Sequence, residues 1–126
     1  MPFIHIKSLP FEKSLEMKAV LEGISEDFSH ETEIALEHVT ATWEFFLPGH
    51  YAVAGKAEEQ QPRKSHPILV ALLTPDFNDA KTIERMLKCI AKSLAKRAGV
   101  LHDNIFSNHR QAHSGMVFDN GEIVRW

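Results

Sequence analysis

The chain has 126 residues, a formal charge of −3 at pH 7, 44% apolar residues and 25% charged residues. These values are typical of a single water-soluble domain with its own core. The slight acidity does not favour a nucleic-acid partner, because nucleic-acid binding usually requires a basic surface. A membrane partner is not expected either, because the sequence has no run of about 20 apolar residues that would predict a membrane span. Since Cys89 is the only cysteine, no intrachain disulfide is possible, and we expect a cytoplasmic location without a secretory leader.

The first half of the chain predicts a strand, a helix and a second strand. Residues 2–7 alternate, with Pro2, Ile4 and Ile6 on one face of the predicted strand. Apolar residues over 12–29 follow helical spacing. The stretch 38–46 (HVTATWEFF) is rich in β-branched and aromatic residues, so it predicts a strand.

The second half opens with a loop, a strand and a helix. Residues 55–65 are polar and predict a mobile surface loop. The continuously apolar stretch 68–73 predicts a strand buried on both faces. Residues 74–76 (TPD) supply a capping oxygen and a proline, so they predict the start of a helix. Gly99 predicts the end of that helix.

The last elements suggest that the chain repeats its first half. Residues 104–108 (NIFSN) predict another strand, and Asn120-Gly121 between apolar flanks predicts a hairpin. Shifting the chain by 65 residues places Pro2 on Pro67 and Leu36 on Leu101. The segments 2–47 and 67–111 then form two pseudo-repeats within a single domain, 1–126.

This order of elements predicts an α/β (α+β) fold. Tandem β-α-β repeats with right-handed crossovers give a four-stranded sheet with two helices on one face, plus a C-terminal hairpin. The other face of the sheet has no partner within the chain. Because a large exposed apolar face favours association, we expect a homo-oligomer.

Three segments of the chain resemble the tautomerase superfamily. The chain begins Met-Pro, and its first half, from Pro2 to Lys56, resembles 4-oxalocrotonate tautomerase through PGHYAVAG at 48–55. In the second half, LAKRAGVLHDNIFSNH at 94–109 resembles macrophage migration inhibitory factor. The resemblance implies a tautomerase/MIF-like homotrimer that needs no cofactor and acts on a small-molecule substrate. It also implies that Pro2, after removal of Met1, acts as the general base, or as the general acid as in related hydrolytic members.

Pro2 is the predicted catalytic residue. A secondary amine accepts a proton only when it is neutral, and an ordinary α-amino group has a pKa of about 7.7–8.0. Burial lowers this pKa toward neutral pH, where a base can remove a proton α to a carbonyl. The alternative is that Pro2 only begins an edge strand. If Met1 stays attached, the Pro2 nitrogen is an amide and cannot act as a base.

Aromatic and amide side chains are the predicted walls of the substrate site. Asn108 and Phe106 fall where the inhibitory-factor branch has an asparagine and a tyrosine lining a neighbouring subunit's pocket. Asn108 could donate a hydrogen bond to a substrate oxygen, whereas Phe106 has no hydroxyl and can only shape the pocket. Tyr51 falls on an aromatic pocket wall of the first branch. Phe3 and Phe118 are further apolar candidates, and ordinary packing is the alternative for all of these side chains.

The substrate-binding cations of the resembled families are missing. The two arginines of the first branch fall on Glu12 and Thr40, and the lysine of the second falls near Glu33. Lys13 is the nearest candidate replacement, with a solvated surface charge as its alternative. Four other residues remain possible: Lys7, His38, His50 and Arg110. A dicarboxylate substrate is therefore not expected.

No metal or cofactor is predicted. His109 and His113 are four residues apart, but no third ligand completes a known spacing, and no glycine-rich phosphate loop is present. Two hypotheses follow. The chain is either a tautomerase-like enzyme that moves a proton on a small keto/enol compound, or a catalytically inactive trimeric binding or scaffold protein with the same fold.

Overall fold

The computed structural model describes all residues 1–126 as a four-stranded sheet with two helices packed on one face. The bounds of the main elements are β1 Phe3–Ser8, α1 Met17–Thr32, β2 Thr40–Phe45, β5 Ile68–Pro75, α2 Ala80–Ala98 and β6 Ile105–Ala112. Two small hairpins add β3 Ala52–Val53 with β4 Lys56–Ala57, and β7 Val117–Asp119 with β8 Glu122–Val124. This architecture confirms the predicted fold class.

The sheet has the order β2-β1-β5-β6. Strand β1 is parallel to β2 and antiparallel to β5, which is in turn parallel to β6. The first strands of the two β-α-β units begin at Phe3 and Ile68, and their second strands begin at Thr40 and Ile105, 65 residues apart in each case. The two edges of the sheet are therefore the second strands of the two units.

The core lies between the sheet and the helices. Side chains at every second position of β1 and β5 are buried, because successive residues of a strand point to opposite faces. Helices α1 and α2 each present an apolar stripe to them. The buried cluster consists of Ile4, Ile6, Val20, Ile24, Phe28, Ile68, Val70, Leu72, Met86, Ile90, Leu94 and Ala98. Neither helix combines the length and apolar content that a membrane-spanning helix requires.

The uncovered face of the sheet is less apolar than its sequence pattern predicts. Its side chains form three rows across the sheet, each running from β2 through β1 and β5 to β6. The chain-start row is Thr40, Phe3, Leu73 and Arg110, the middle row is Thr42, His5, Ala71 and Asn108, and the far row is Glu44, Lys7, Leu69 and Phe106. Apolar, uncharged polar and charged groups are mixed on this face, so an associating partner has to match all three kinds.

Two predicted helix starts are wrong. Helix α1 begins at Met17 rather than near residue 12, and α2 begins at Ala80 rather than at residues 74–76. Thr74 and Pro75 remain in β5, where they pair with β6. The helix cap is instead Asp79, whose Oδ1 accepts a hydrogen bond from the Thr82 amide at 2.8 Å.

The predicted ends of two other elements are confirmed. Helix α2 stops at Gly99, which has φ +68°, a left-handed conformation that glycine adopts without a steric penalty. The turn between β7 and β8 is Asn120-Gly121, with φ values of +52° and +86°. Positive φ at both central residues is the requirement of the tight hairpin turn that an Asn-Gly pair predicts.

The polar stretch at 55–65 is anchored to the sheet. The Gln61 amide donates to the Pro10 carbonyl at 2.8 Å, and its side chain accepts from the Leu9 amide at 3.1 Å. The side chain of Asn104, which is buried, donates to the Pro62 and Ser65 carbonyls at 3.2 Å. The predicted loop is correct for most of this stretch, but Lys56 and Ala57 form β4, and these long-range hydrogen bonds fix the position of the remainder.

Candidate functional site

The start of β1 places Pro2 in a buried position. The carbonyl of Pro2 accepts a hydrogen bond from the Thr40 amide at 3.0 Å, which holds the beginning of β1 against β2. Continuing the register of β1 and β5 by one residue beyond Phe3 and Leu73 places Pro2 opposite Thr74. Because Pro2 shares a side with Ile4 and Ile6, its ring faces the helices and the core.

The surroundings of the chain start change the basicity of the terminal amine. Burial lowers the pKa of the Met1 amine below its usual value, and the negative charge of Asp119 opposes this effect. Asp119 ends β7, so the C-terminal hairpin brings a carboxylate within electrostatic reach of the N-terminus. Sequence reasoning did not single out Asp119, although the Asn120-Gly121 turn that follows it was recognised.

A partly buried hydrogen bond joins Thr74 to His109 beside this position. Thr74 Oγ1 and His109 Nε2 are 2.6 Å apart, and Thr74 is 1% exposed. Burial lowers the pKa of His109, so the neutral imidazole is favoured at neutral pH. The pair presents one neutral hydroxyl and one neutral ring on the core side of the sheet, at the end where Pro2 lies.

A polar cluster attaches the C-terminus to the loop after β5. Asp76 accepts hydrogen bonds from Trp126 Nε1 at 2.8 Å and from His113 Nδ1 at 2.9 Å. The hydrogen bond from Trp126, followed by that from His113, lowers the pKa of Asp76. The ring of Trp126 also packs edge-on against Phe77. These contacts fix the end of the chain beside the end of the sheet where Pro2 lies.

The predicted pair on β6 points away from the core. Asn108 and Phe106 both lie exposed on the uncovered face, in the middle row and the far row. Phe106 is 56% exposed. The far row is five residues from Pro2 along β1, or about 16 Å at ~3.3 Å per residue. Within one chain, Phe106 is therefore far from Pro2, and Asn108, in the middle row, lies at an intermediate distance from it.

Tyr51 and Lys13 also lie away from Pro2. The Tyr51 hydroxyl donates to the Pro67 carbonyl at 2.8 Å, and its ring packs against Phe46 and His66. Burial raises the pKa of Tyr51. Pro67 precedes β5 and Lys13 follows β1, so both predicted residues belong to the end of the sheet opposite to Pro2. One protomer does not bring the five predicted site residues together.

Among the possible substitute cations, Arg110 has the most suitable position. It lies exposed in the chain-start row, next to Leu73 and two strands from Phe3, and it forms no ion pair. Lys7, in contrast, forms an ion pair in the far row, with its Nζ 3.7 Å from Glu44 Oε2. Arg110 is therefore an uncompensated cation at the end of the uncovered face where the chain begins.

The histidines do not form a metal site. No group of three or more His, Cys, Asp or Glu side chains converges in the structure. His109 contacts Thr74, and His113 contacts Asp76. The four-residue spacing of these two histidines therefore reflects separate hydrogen bonds made from one strand and the turn after it.

No protein-family model matches the chain, and no curated protein is significantly similar to it. Solved structures do resemble it. Pt0534 inactivated by 2-oxo-3-pentynoate has a TM-score of 0.82 at 13% identity, covering 97% of this chain and 94% of that one. Native fused 4-OT has a TM-score of 0.80 at 9% identity, covering 96% and 94%. The macrophage migration inhibitory factor-like protein from Entamoeba histolytica has 0.70 at 14% identity, covering 97% of both chains.

These similarities extend over nearly the whole of each chain, so they concern the complete arrangement of sheet, helices and hairpin. Sequence identities of 9% to 14% support a shared fold but not a shared chemistry. The predicted resemblance to the tautomerase superfamily is confirmed at that level: the chain has the tautomerase-superfamily fold.

Proposed function

We propose that the chain is a cofactor-free enzyme of the tautomerase type that moves a proton on a small keto/enol compound. The observation that carries this proposal is the position of Pro2, which is buried at the start of β1 directly after Met1, whose own amine has a pKa lowered by burial. Removal of Met1 would convert the Pro2 nitrogen from an amide into a secondary amine. The single cysteine supports a cytoplasmic location for this activity.

The amine would act first as a base and then as an acid. When neutral, it takes the proton from the carbon next to a carbonyl, and it returns that proton to another atom of the resulting enolate. At the Met1 amine, burial favours the neutral form and Asp119 the protonated one, and we expect both effects to act on a Pro2 amine one residue further on. Opposing effects of this kind keep a pKa close to the working pH, where both transfers are possible.

A homotrimer would complete the site. Phe106 and Asn108 are exposed on β6, an edge strand whose outer hydrogen-bonding groups are unpaired within the chain. Two similar structures are described as trimers of fused 4-OT. A neighbouring protomer could bring Asn108 to the substrate oxygen. Arg110 could stabilise the developing negative charge of a substrate that approaches the Pro2 nitrogen from the uncovered face, while Phe3, on that face, and Phe118 would exclude water.

The proposal is tested by substituting Pro2 and by blocking its nitrogen. In a screen of enolisable keto acids, Pro2→Ala should lower turnover by about 10²–10⁴-fold, the usual contribution of a general base. An added N-terminal residue that is not removed should abolish turnover. Pro10→Ala is the matched control, because Pro10 lies in the turn after β1 and contributes only its carbonyl. Equal turnover of all variants would contradict the proposal.

A reagent provides an independent test of the same amine. Because 2-oxo-3-pentynoate inactivates the structurally similar Pt0534, it is a suitable electrophilic probe. A neutral Pro2 amine can add to its alkyne, and the intact protein then gains the mass of one reagent molecule. Peptide mapping should locate the adduct at Pro2. An adduct found only at Cys89, or one of equal yield in the N-terminally blocked variant, would contradict a reactive Pro2 amine.

The second candidate is a trimeric binding or scaffold protein without chemistry. It is favoured by Glu12 and Thr40 at the positions where the resembled family has arginines, and by the missing hydroxyl of Phe106. In this case Pro2→Ala should leave ligand affinity and trimer mass unchanged. Both candidate functions require a trimer, which light scattering of the purified protein can detect. A stable monomer would contradict both.

A further inference from the structure

A polar groove of about 580 Å³ runs between α1 and α2 on the outer side of the helix layer. Its lining residues are Asp27, His30, Glu31, Lys81, Glu84, Arg85, Lys88, Cys89, Lys92, Ser93 and Lys96. The helices separate this groove from the sheet, so it is distinct from the uncovered face. Cys89 is its only apolar lining residue and no Phe, Tyr or Trp borders it, unlike a typical pocket for an apolar small molecule.

Five cations lie along one side of the groove. All belong to α2, at positions separated by three or four residues, which places them on one face of the helix. They are Lys81, Arg85, Lys88, Lys92 and Lys96. At ~1.5 Å per residue, this stripe is about 22 Å long. This local concentration of positive charge contrasts with the formal charge of −3 of the whole chain.

Two of the three carboxylates in the groove are already neutralised. Asp27 accepts two hydrogen bonds from Arg97, at 2.7 and 2.9 Å, and one from Ser93 at 2.6 Å. Glu84 pairs with Lys88 at 2.7 Å. Glu31 is thus the one lining carboxylate without an ion pair, whereas four of the five cations, Lys81, Arg85, Lys92 and Lys96, have no carboxylate within ion-pair distance.

We propose that this groove binds a linear, multivalent phosphate anion. Cations repeated along a straight helix match an anion whose charges repeat along a chain, and Arg85 can bind a phosphate through two parallel hydrogen bonds. With no Phe, Tyr or Trp among its lining side chains, the groove lacks the large aromatic platform on which nucleobases usually stack. The ligand is therefore recognised by its phosphates alone. This site does not depend on Pro2.

Titration calorimetry with inorganic tripolyphosphate at low salt tests the site. The variant Arg85→Gln/Lys92→Gln removes two unpaired cations from the centre of the groove. The matched control, Arg63→Gln/Lys64→Gln, removes one arginine and one lysine from an exposed loop outside it. We expect about tenfold weaker binding for the groove variant, since exposed charge pairs contribute modestly, and unchanged binding for the control.

A third variant tests the opposite direction. Glu31→Gln removes the remaining unpaired carboxylate, so it should tighten binding of tripolyphosphate severalfold. Binding should also weaken as salt rises, because the charges are exposed. Absence of binding by the folded wild-type protein, or equal weakening in the groove variant and the control, would overturn the proposal. Unfolding of the variants, which circular dichroism would detect, is not expected because the substituted side chains are exposed.

Discussion

The ion pair between Asp27 of α1 and Arg97 of α2 should make a measurable contribution to stability. Hydrogen bonds from Arg97 and Ser93 lower the pKa of Asp27 from 3.8 to about 2. At about 1.4 kcal/mol per pKa unit, this difference corresponds to at most ~2.5 kcal/mol. Both side chains are about one-third exposed, so solvent screening reduces the expected contribution to about 1 kcal/mol.

The substitution Asp27→Asn tests this value through denaturant unfolding at fixed protein concentration. We expect the free energy of unfolding at pH 7 to fall by about 1 kcal/mol. Because the folded pKa lies below the unfolded one, the stabilisation is complete above about pH 4 and is lost as the pH falls toward 2. The difference between wild type and variant should therefore shrink over that interval.

An exposed pair on the same helix is the control. Lys18 and Glu22 of α1 are 3.2 Å apart and largely solvent-exposed, so Glu22→Gln should cost less than about 0.5 kcal/mol. Equal stability of Asp27→Asn and wild type at pH 7, or a difference that stays constant from pH 5 to pH 2, would refute the assigned role of the ion pair.

Two further predictions concern buried contacts. A Cβ at Gly23 would lie 2.6 Å from Arg97 Cδ, so Gly23→Ala should destabilise the wild-type protein. In an Arg97→Ala background the same substitution should stabilise the protein by up to ~1 kcal/mol, because alanine has the higher helix propensity. The same change in stability in both backgrounds would contradict this prediction. Burial lowers the pKa of His109 from its usual value of 6.5, because the folded state favours the neutral imidazole. The stabilisation that neutral His109 gives the folded state is therefore complete above about pH 6.5 and declines as the pH falls. Thermal unfolding of His109→Gln should therefore depend less on pH between 7.5 and 5, and an unchanged pH profile would argue against this.

Local patterns in the sequence were sufficient to predict the four main strands and the C-terminal hairpin, but not the hairpin of β3 and β4. The alternation of Pro2, Ile4 and Ile6 indicates which face of β1 is buried, because the strand period does not depend on the rest of the fold. Asn120-Gly121 specifies its turn through the φ values that these residues tolerate. The start of α2 was predicted wrongly because Thr74 and Asp79 can both cap a helix. Pairing of Thr74 with β6 decides between them, and that pairing is a long-range contact.

The groups around the candidate site were harder to predict. Asp119 acts on the amine at the opposite end of the chain, and Thr74 is 35 residues from its partner His109. No periodicity links residues so distant in sequence. Pro2 is a candidate because of its position directly after Met1 together with the resemblance to the tautomerase superfamily, and its catalytic role stays a prediction. Phe106 and Asn108 were correctly placed on one face, but their relation to Pro2 depends on an assembly that one chain does not contain.

The most direct test of the central claim is the intact mass of the untagged protein purified from its native host. We predict a mass lower than that of the full sequence by one methionine residue, which means that Pro2 carries a free secondary amine. If Met1 remains on essentially every molecule, the Pro2 nitrogen is an amide. The proposed proton transfer is then impossible, and the tautomerase-superfamily fold would serve binding alone.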